Sequence, residues 1–205
     1  MVLSQAVHRQ IDAGLMERVN RFARGTSWLH GPMKAYAGYG VVLFAVLLIA
    51  GWWLSRPRSS TGLAATFWAG AAGLLAVAVN QPLVSFFAEA RPYAANSSLL
   101  VLADRSSDPS FPSDHAVLVG AIAAVLWFVN RRLGAAATAG ALLMAFARVY
   151  TAAHYPHDVA GGLVLGAAIG VLGWLALRRP LTALIDRLRR TALRPLLAAA
   201  SSPNT

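Results

Sequence analysis

Apolar positions in this chain run together in long stretches instead of alternating, and five of these stretches approach the length that crosses a bilayer. A transmembrane helix needs about 20 mostly apolar residues. Residues 35–54 meet that length and end in Trp52-Trp53, a pair suited to the lipid–water boundary. Residues 61–88 form a longer run broken by Asn80-Gln81-Pro82. Pro82 predicts a kink there, and the polar pair should face protein. Residues 115–129 are short for a span unless the helix begins near Ser113, and residues 133–150 and 158–177 complete the set. Residues 4–25 place Val7, Ile11, Leu15, Val19 and Phe22 on one helical stripe, which reads as an amphipathic helix on the bilayer surface. The alternative is a helix packed on protein. Residues 179–195 form a second, arginine-rich amphipathic stretch, and residues 201–205 read as a disordered tail.

The expectation is an all-α integral membrane bundle of about five transmembrane helices with an amphipathic helix at each end. It forms a single domain over 1–205: an N-terminal segment 1–34, a core 35–177 and a basic tail 178–205. Composition agrees, with 57% hydrophobic and 13% charged residues, against about 25% charged in soluble domains. A net charge of +10 raises nucleic acid as a partner. The arginines flank the apolar runs, however, so membrane anchoring and topology control fit better, and no nucleic acid partner is expected. No cleavable signal peptide is predicted, and with no cysteine there is neither a disulfide nor a thiolate metal site.

Arginine placement also orients the bundle. Arg56 and Arg58, Arg131 and Arg132, and six arginines between Arg178 and Arg194 fall on one side if there are five spans, and that side should be cytoplasmic. The N-terminal stretch, residues 89–114 and residues 151–157 then lie outside, although the N-terminal stretch is itself basic.

The remaining polar residues concentrate in two loops. One reads Glu89-Ala90-Arg91-Pro92 and later Phe111-Pro112-Ser113-Asp114-His115; the other follows Arg148 with His154-Tyr155-Pro156-His157-Asp158. Two spans separate them, so both emerge on the same face. Arginine presents a planar fork of donors that matches phosphate oxygens. Ser113 occupies a helix N-cap position, and a helix N-terminus binds anions. Histidine attacks phosphorus or donates a proton near neutral pH. Asp158, four residues beyond His154, is placed to accept the Nδ1 proton and leave Nε2 free. His157 has no partner by spacing and reads as structural or solvent-facing. Asp104, Arg105 and Asp108 read as a solvated loop, with a rim role over the pocket as the alternative, and the glycines of residues 158–177 as close helix packing.

Arg91-Pro92, Pro112-Ser113-Asp114-His115 and Arg148-x5-His154-x3-Asp158 together resemble the three-part signature of the type 2 phosphatidic acid phosphatase family. The resemblance implies His154 as the nucleophile that forms a phosphohistidine, with Asp158 holding it. His115 would be the acid and later the base, and Arg91, Arg148, Ser113 and backbone donors near Asp114 would bind the phosphate. It implies no metal and no cofactor. Val84 stands where the family pattern has lysine, Asp114 where it has glycine, and Ala147 where it has serine. With Glu89 and Tyr93, these departures resemble the bacitracin-resistance branch, which removes the terminal phosphate of undecaprenyl pyrophosphate. That implies a polyprenyl pyrophosphate substrate, a bacterial plasma membrane location with the site facing outward, and Glu89 and Asp114 as pocket residues bracing Arg91. A phosphatase of lipid monoesters such as phosphatidic acid is the alternative; a non-catalytic lipid-binding protein and a haloperoxidase sharing the pocket pattern are more distant ones.

Overall fold

In the computed structural model, residues 2–198 are described, with side chains from Asp12 onward. The described residues contain helices and no strand. In chain order they are α1 (Val2–Gly25), α2 (His30–Tyr39), α3 (Val41–Ser55), α4 (Ser60–Phe87), α5 (Pro92–Ala95), α6 (Asp114–Val129), α7 (Arg131–Tyr150), α8 (Pro156–Leu188) and α9 (Arg194–Leu197). Three of these, α4, α7 and α8, are each long and apolar enough to cross a membrane.

The other two expected spans take different forms. The first is broken: α2 and α3 meet at 56° around Gly40, where the backbone is so close to Tyr36 and Met144 that a Cβ would lie 2.8 Å from Met144 Cε. The break leaves carbonyls at the end of α2 without helical partners, and Ala37 O accepts from Arg148 Nη1 at 3.4 Å. The second, α6, has 16 residues and a length of about 24 Å, short of a hydrocarbon core of about 30 Å. Its shortness carries little cost, because Ala116, Val117, Val119, Ala121, Ile122, Val125 and Leu126 are all buried in protein. This helix is the axis of the bundle and packs on α4, α7 and α8.

The closest approach is between α6 and α8. Gly162, Gly166 and Gly170 recur every four residues along one edge of α8. They face Ser113, Val117 and Ala121, which have the same spacing along the N-cap and first turns of α6. A Cβ on Gly166 would lie 2.0 Å from Val117 O, and one on Gly162 or Gly170 would lie 2.8 Å from Ser113 O or Ala121 O. Small residues let helix backbones approach where lipid offers no hydrophobic drive. The seam runs parallel, so the N-termini of α6 and α8 emerge side by side, and Ser113 N donates to Asp158 O at 3.2 Å.

Both terminal segments differ from expectation. The arginine-rich stretch is not a separate surface helix: α8 continues through Pro180 to Leu188, 33 residues in all. The lost hydrogen bond at proline is offset by packing, since Ile185, Leu188 and Leu197 join Trp52, Leu63 and Trp174 in one apolar cluster. Arg56 donates to Pro195 O and Ala198 O, and Arg189 to Arg56 O, which ties the basic end together. At the opposite end α1 packs across α7 and α8. Its buried face is Met16, Asn20 and Ala23, while Leu15 and Phe22 of the expected stripe remain half-exposed. Val7 and Ile11 of that stripe, and residues 201–205, lie outside the described side chains and residues respectively. Asn20 clips the loop between α5 and α6 with both ends of its amide, donating to Leu100 O (2.8 Å) and accepting from Leu100 N (3.0 Å).

Replacing Gly166 by alanine forces a methyl group into the Val117 carbonyl. The expected cost is about 1–3 kcal/mol, read as a lowered melting temperature in detergent. Gly14→Ala has open space around its Cβ and should leave the melting temperature unchanged or raised.

Candidate active site

Two chain segments meet at the paired helix starts. The first is the long connection from α4 to α6. Ala88 leaves α4 in the left-handed conformation (φ 45°). Ser110 N then closes back on Glu89 O at 2.8 Å. Tyr93 pins the middle of the loop, its hydroxyl donating to Ser106 O and accepting from Ser106 N. The second segment is the turn from α7 to α8, where Arg148 O accepts from Ala153 N and His154 N. Leu102 N and Ala103 N both donate to Thr151 O, which stitches the two segments together.

His154 sits at their junction, 3% exposed. Its Nδ1 lies 2.8 Å from Ser110 O, so the proton there is donated to that carbonyl. Nε2 is left as an acceptor facing Arg148 Nη2 at 3.0 Å and Arg91 Nη1 at 3.5 Å. Burial pushes the imidazole below its ordinary pKa, and the neighbouring Asp158 only partly opposes this. His154 is therefore neutral at pH 7, with a lone pair aimed between two guanidinium groups.

Backbone carbonyls hold those arginines. Arg91 donates to Asp108 O (2.7 Å) and Ala153 O (3.2 Å), and Arg148 to Ala37 O. A carbonyl orients a guanidinium without cancelling its charge, which stays available to an anion. Both arginines, both candidate histidines and Asp114 line one cavity of about 420 Å³, together with Gln81, Val84 and Ser85.

Several sequence expectations are revised by this geometry. Asp158 does not take the Nδ1 proton directly, since its Oδ2 is 3.5 Å away. That oxygen instead accepts from Tyr155 N at 2.8 Å, capping α8, and from Ser110 Oγ. Asp158 thus positions Ser110, and Ser110 positions His154. Ser110 is a buried site residue that spacing did not single out.

Arg91 touches neither Glu89 nor Asp114, so the bracing role falls. Asp114 accepts from Asn80 Nδ2 (2.7 Å) and Gln81 Nε2 (3.0 Å), which explains the polar pair within α4. Glu89 Oε2 lies 3.1 Å from His157 Nε2, so His157 is partnered after all. Ser113 stands at the N-cap of α6, but its buried hydroxyl makes no capping bond and has no hydrogen-bond partner. Asp104 belongs to the cavity rim and pairs with Lys34 at 3.0 Å.

Residues 65–181 match the PAP2 superfamily, a region covering more than half of the chain. Undecaprenyl-diphosphatase BcrC of Bacillus subtilis (strain 168) is 28% identical over 192 residues, spanning 93% of this chain and 97% of that protein. A lipid A 1-phosphatase of Rhizobium johnstonii is 40% identical over a shorter stretch, 33% of this chain and 28% of its own. Among solved structures, a transmembrane PAP2-type phosphatidylglycerolphosphate phosphatase from Bacillus subtilis superimposes with a TM-score of 0.56 at 23% identity. It covers 92% of this chain and 93% of that one, a likeness of fold. The chain belongs to the PAP2 superfamily and is a membrane-embedded lipid phosphatase.

Proposed function

We propose that this protein removes the terminal phosphate of undecaprenyl pyrophosphate through a phosphohistidine on His154, at the extracytoplasmic face of a bacterial plasma membrane. The observation that carries the chemistry is the neutral Nε2 of His154 held 3.0 Å from Arg148 and 3.5 Å from Arg91. A phosphate that displaces those two contacts takes both guanidinium groups onto its oxygens and places phosphorus before the lone pair. The Ser113 hydroxyl, buried and unpartnered between Pro112 and Asp114 of the cavity wall, would be a further donor if it turned toward the phosphate.

The Nε2 lone pair forms the P–N bond while the P–O bond to the bridging oxygen breaks. The electron pair leaves on that oxygen, and His115, on the wall of the same cavity, protonates it. Lipid monophosphate departs. His115 then takes a proton from water, the hydroxide attacks the phosphohistidine, and the P–N bond returns its electrons to Nε2. Ser110 O holds the Nδ1 proton throughout and stabilises the imidazolium character that develops on attack.

A diphosphate suits the site for two reasons. The leaving phosphate monoester demands less of His115 than a lipid alkoxide. Lys34, the only lysine in the sequence, lines a second cavity of about 500 Å³ that shares Arg148 and Asp104 with the first. Paired with Asp104 at the rim, it stands where the phosphate that stays on the lipid would rest, and on exchanging that carboxylate for phosphate it would supply the cation that Val84 lacks. The full-length likeness to an undecaprenyl-diphosphatase supports the same choice. The outward orientation rests on the ten arginines at the end away from the site, from Arg56 to Arg194.

The detergent-solubilised protein, with chelator present, should release phosphate from undecaprenyl pyrophosphate with a higher kcat/KM than from phosphatidic acid or phosphatidylglycerol phosphate. A preference for either monoester would overturn the substrate assignment. His154→Gln should lower kcat by about 10³-fold or more, and Ser110→Ala by about 10–100-fold, with KM little changed in the second case. Lys34→Met should raise KM for the diphosphate about 10-fold and leave monoester turnover unaltered; equal effects on both would remove Lys34 from the leaving-group side.

The pH profile follows from the lowered His154 pKa. Protonation silences the nucleophile, so the acid limb of kcat/KM should fall below the ordinary histidine value of about 6.5. Asp158→Asn removes an influence that raises the pKa and should move that limb to still lower pH while reducing kcat.

A further inference from the structure

The second oxygen of Asp158 faces a cluster that phosphoryl transfer does not use. Asp158 Oδ1 is buried and has no hydrogen-bond partner, yet it lies 3.0 Å from His157 Nε2. Glu89 Oε2 lies 3.1 Å from the same nitrogen. These three atoms all fall within 4.8 Å of one another. On the far side of the ring, His157 Nδ1 meets Asp12 Oδ2 at 2.7 Å, and Asp12 Oδ1 accepts from His157 N at 3.1 Å. The imidazole lies near-parallel to the rings of Phe111 and Tyr155, with interplanar angles of 27° and 18°. These contacts and the Nδ1 bond to Asp12 orient it.

We propose that Glu89, His157 and Asp158 bind a divalent ion of the zinc class, separate from the phosphate pocket, with Asp12 as the outer carboxylate that orients His157. Tetrahedral ligand atoms about 2.0–2.1 Å from zinc stand roughly 3.3–3.4 Å apart, close to the two separations measured from Nε2. One imidazole nitrogen with two carboxylate oxygens selects a borderline ion over calcium or magnesium, which take oxygen alone. A histidine ligand that gives its other nitrogen to a carboxylate is the usual supported arrangement. Charge points the same way: three carboxylates face one imidazole, an excess of negative charge that a dication offsets in large part. The ion would join three separate pieces of chain, namely α1 through Asp12, the loop after α4 through Glu89, and the first turn of α8. It would use Oδ1 of Asp158 and leave Oδ2 to hold Ser110.

The test is titration of the full-length, tag-free, metal-stripped protein in detergent with cobalt(II), followed by its visible absorption, and with zinc as competitor. One saturable equivalent is expected, displaced by zinc. His157→Gln and Glu89→Gln should each remove the cobalt bands, and Asp12→Asn should weaken binding about 10–100-fold. His30→Gln should change nothing, since His30 Nε2 bonds Ala23 O instead. Melting temperatures taken without metal separate lost ligands from lost fold, and if His157→Gln does not fold, Glu89→Gln decides. The proposal falls if no saturable cobalt binding occurs, if both substitutions leave it intact, or if His115→Gln abolishes it. The readout needs no turnover, so its failure is distinct from a failure of the phosphatase reading.

Discussion

Backbone contact between α6 and α8 is the constraint from which the site follows. Gly162, Gly166 and Gly170 allow the two helices to lie closer than any side chain would permit. Because the helices are parallel, closeness along their length becomes closeness of their first turns. His115 enters from one of these turns and Asp158 from the other, with His154 immediately before α8. In lipid, where apolar side chains gain little by leaving their solvent, such packing has to come from shape. A loop alone would not hold two imidazoles in register; a pair of helix starts does so.

The second organising feature is the separation of acid from cation. The pocket wall carries the carboxylates of Asp104, Asp108 and Asp114, and Glu89 lies nearby, any of which would neutralise an arginine and weaken anion binding. Each is occupied elsewhere, Asp114 by the amides of Asn80 and Gln81, Asp108 by the Ser106 hydroxyl, Asp104 by Lys34 and Glu89 by His157. The arginines are positioned by carbonyls from Ala37, Asp108 and Ala153. The break between α2 and α3 acquires a purpose here, since it offers Ala37 O to Arg148. Fold irregularity and site electrostatics are parts of one arrangement.

The sequence disclosed whatever depended on composition, period or parity. Apolar runs placed α4, α7 and α8; the count of spans put residues 89–114 and 151–157 on one face; glycine spacing marked the seam. Hidden from it were pairings set by tertiary distance. Asp12 and His157 are 145 residues apart, and Ser110 and His154 are 44 apart, so no local pattern joins them. The i, i+4 spacing of His154 and Asp158 correctly brought them near each other, but it missed the Ser110 carbonyl that comes between. Boundaries suffered for a similar reason. Pro180 and the surrounding arginines read as the end of a span, whereas packing of Ile185 and Leu197 on Trp52 and Leu63 carries α8 onward. On α1, a stripe counted from hydrophobicity gave way to the face that meets the bundle, where Asn20 is buried because Leu100 satisfies its amide.

The decisive observation is where phosphate becomes attached during turnover. Rapid quenching of the enzyme with diphosphate labelled on its terminal phosphorus, followed by peptide mass spectrometry and phosphorus NMR, locates the bond to a single nitrogen. With Nδ1 committed to Ser110 O, label should accumulate on Nε2 of His154 and be discharged as inorganic phosphate. Label on Nδ1, on His115, or on no residue under conditions of full activity would contradict the account.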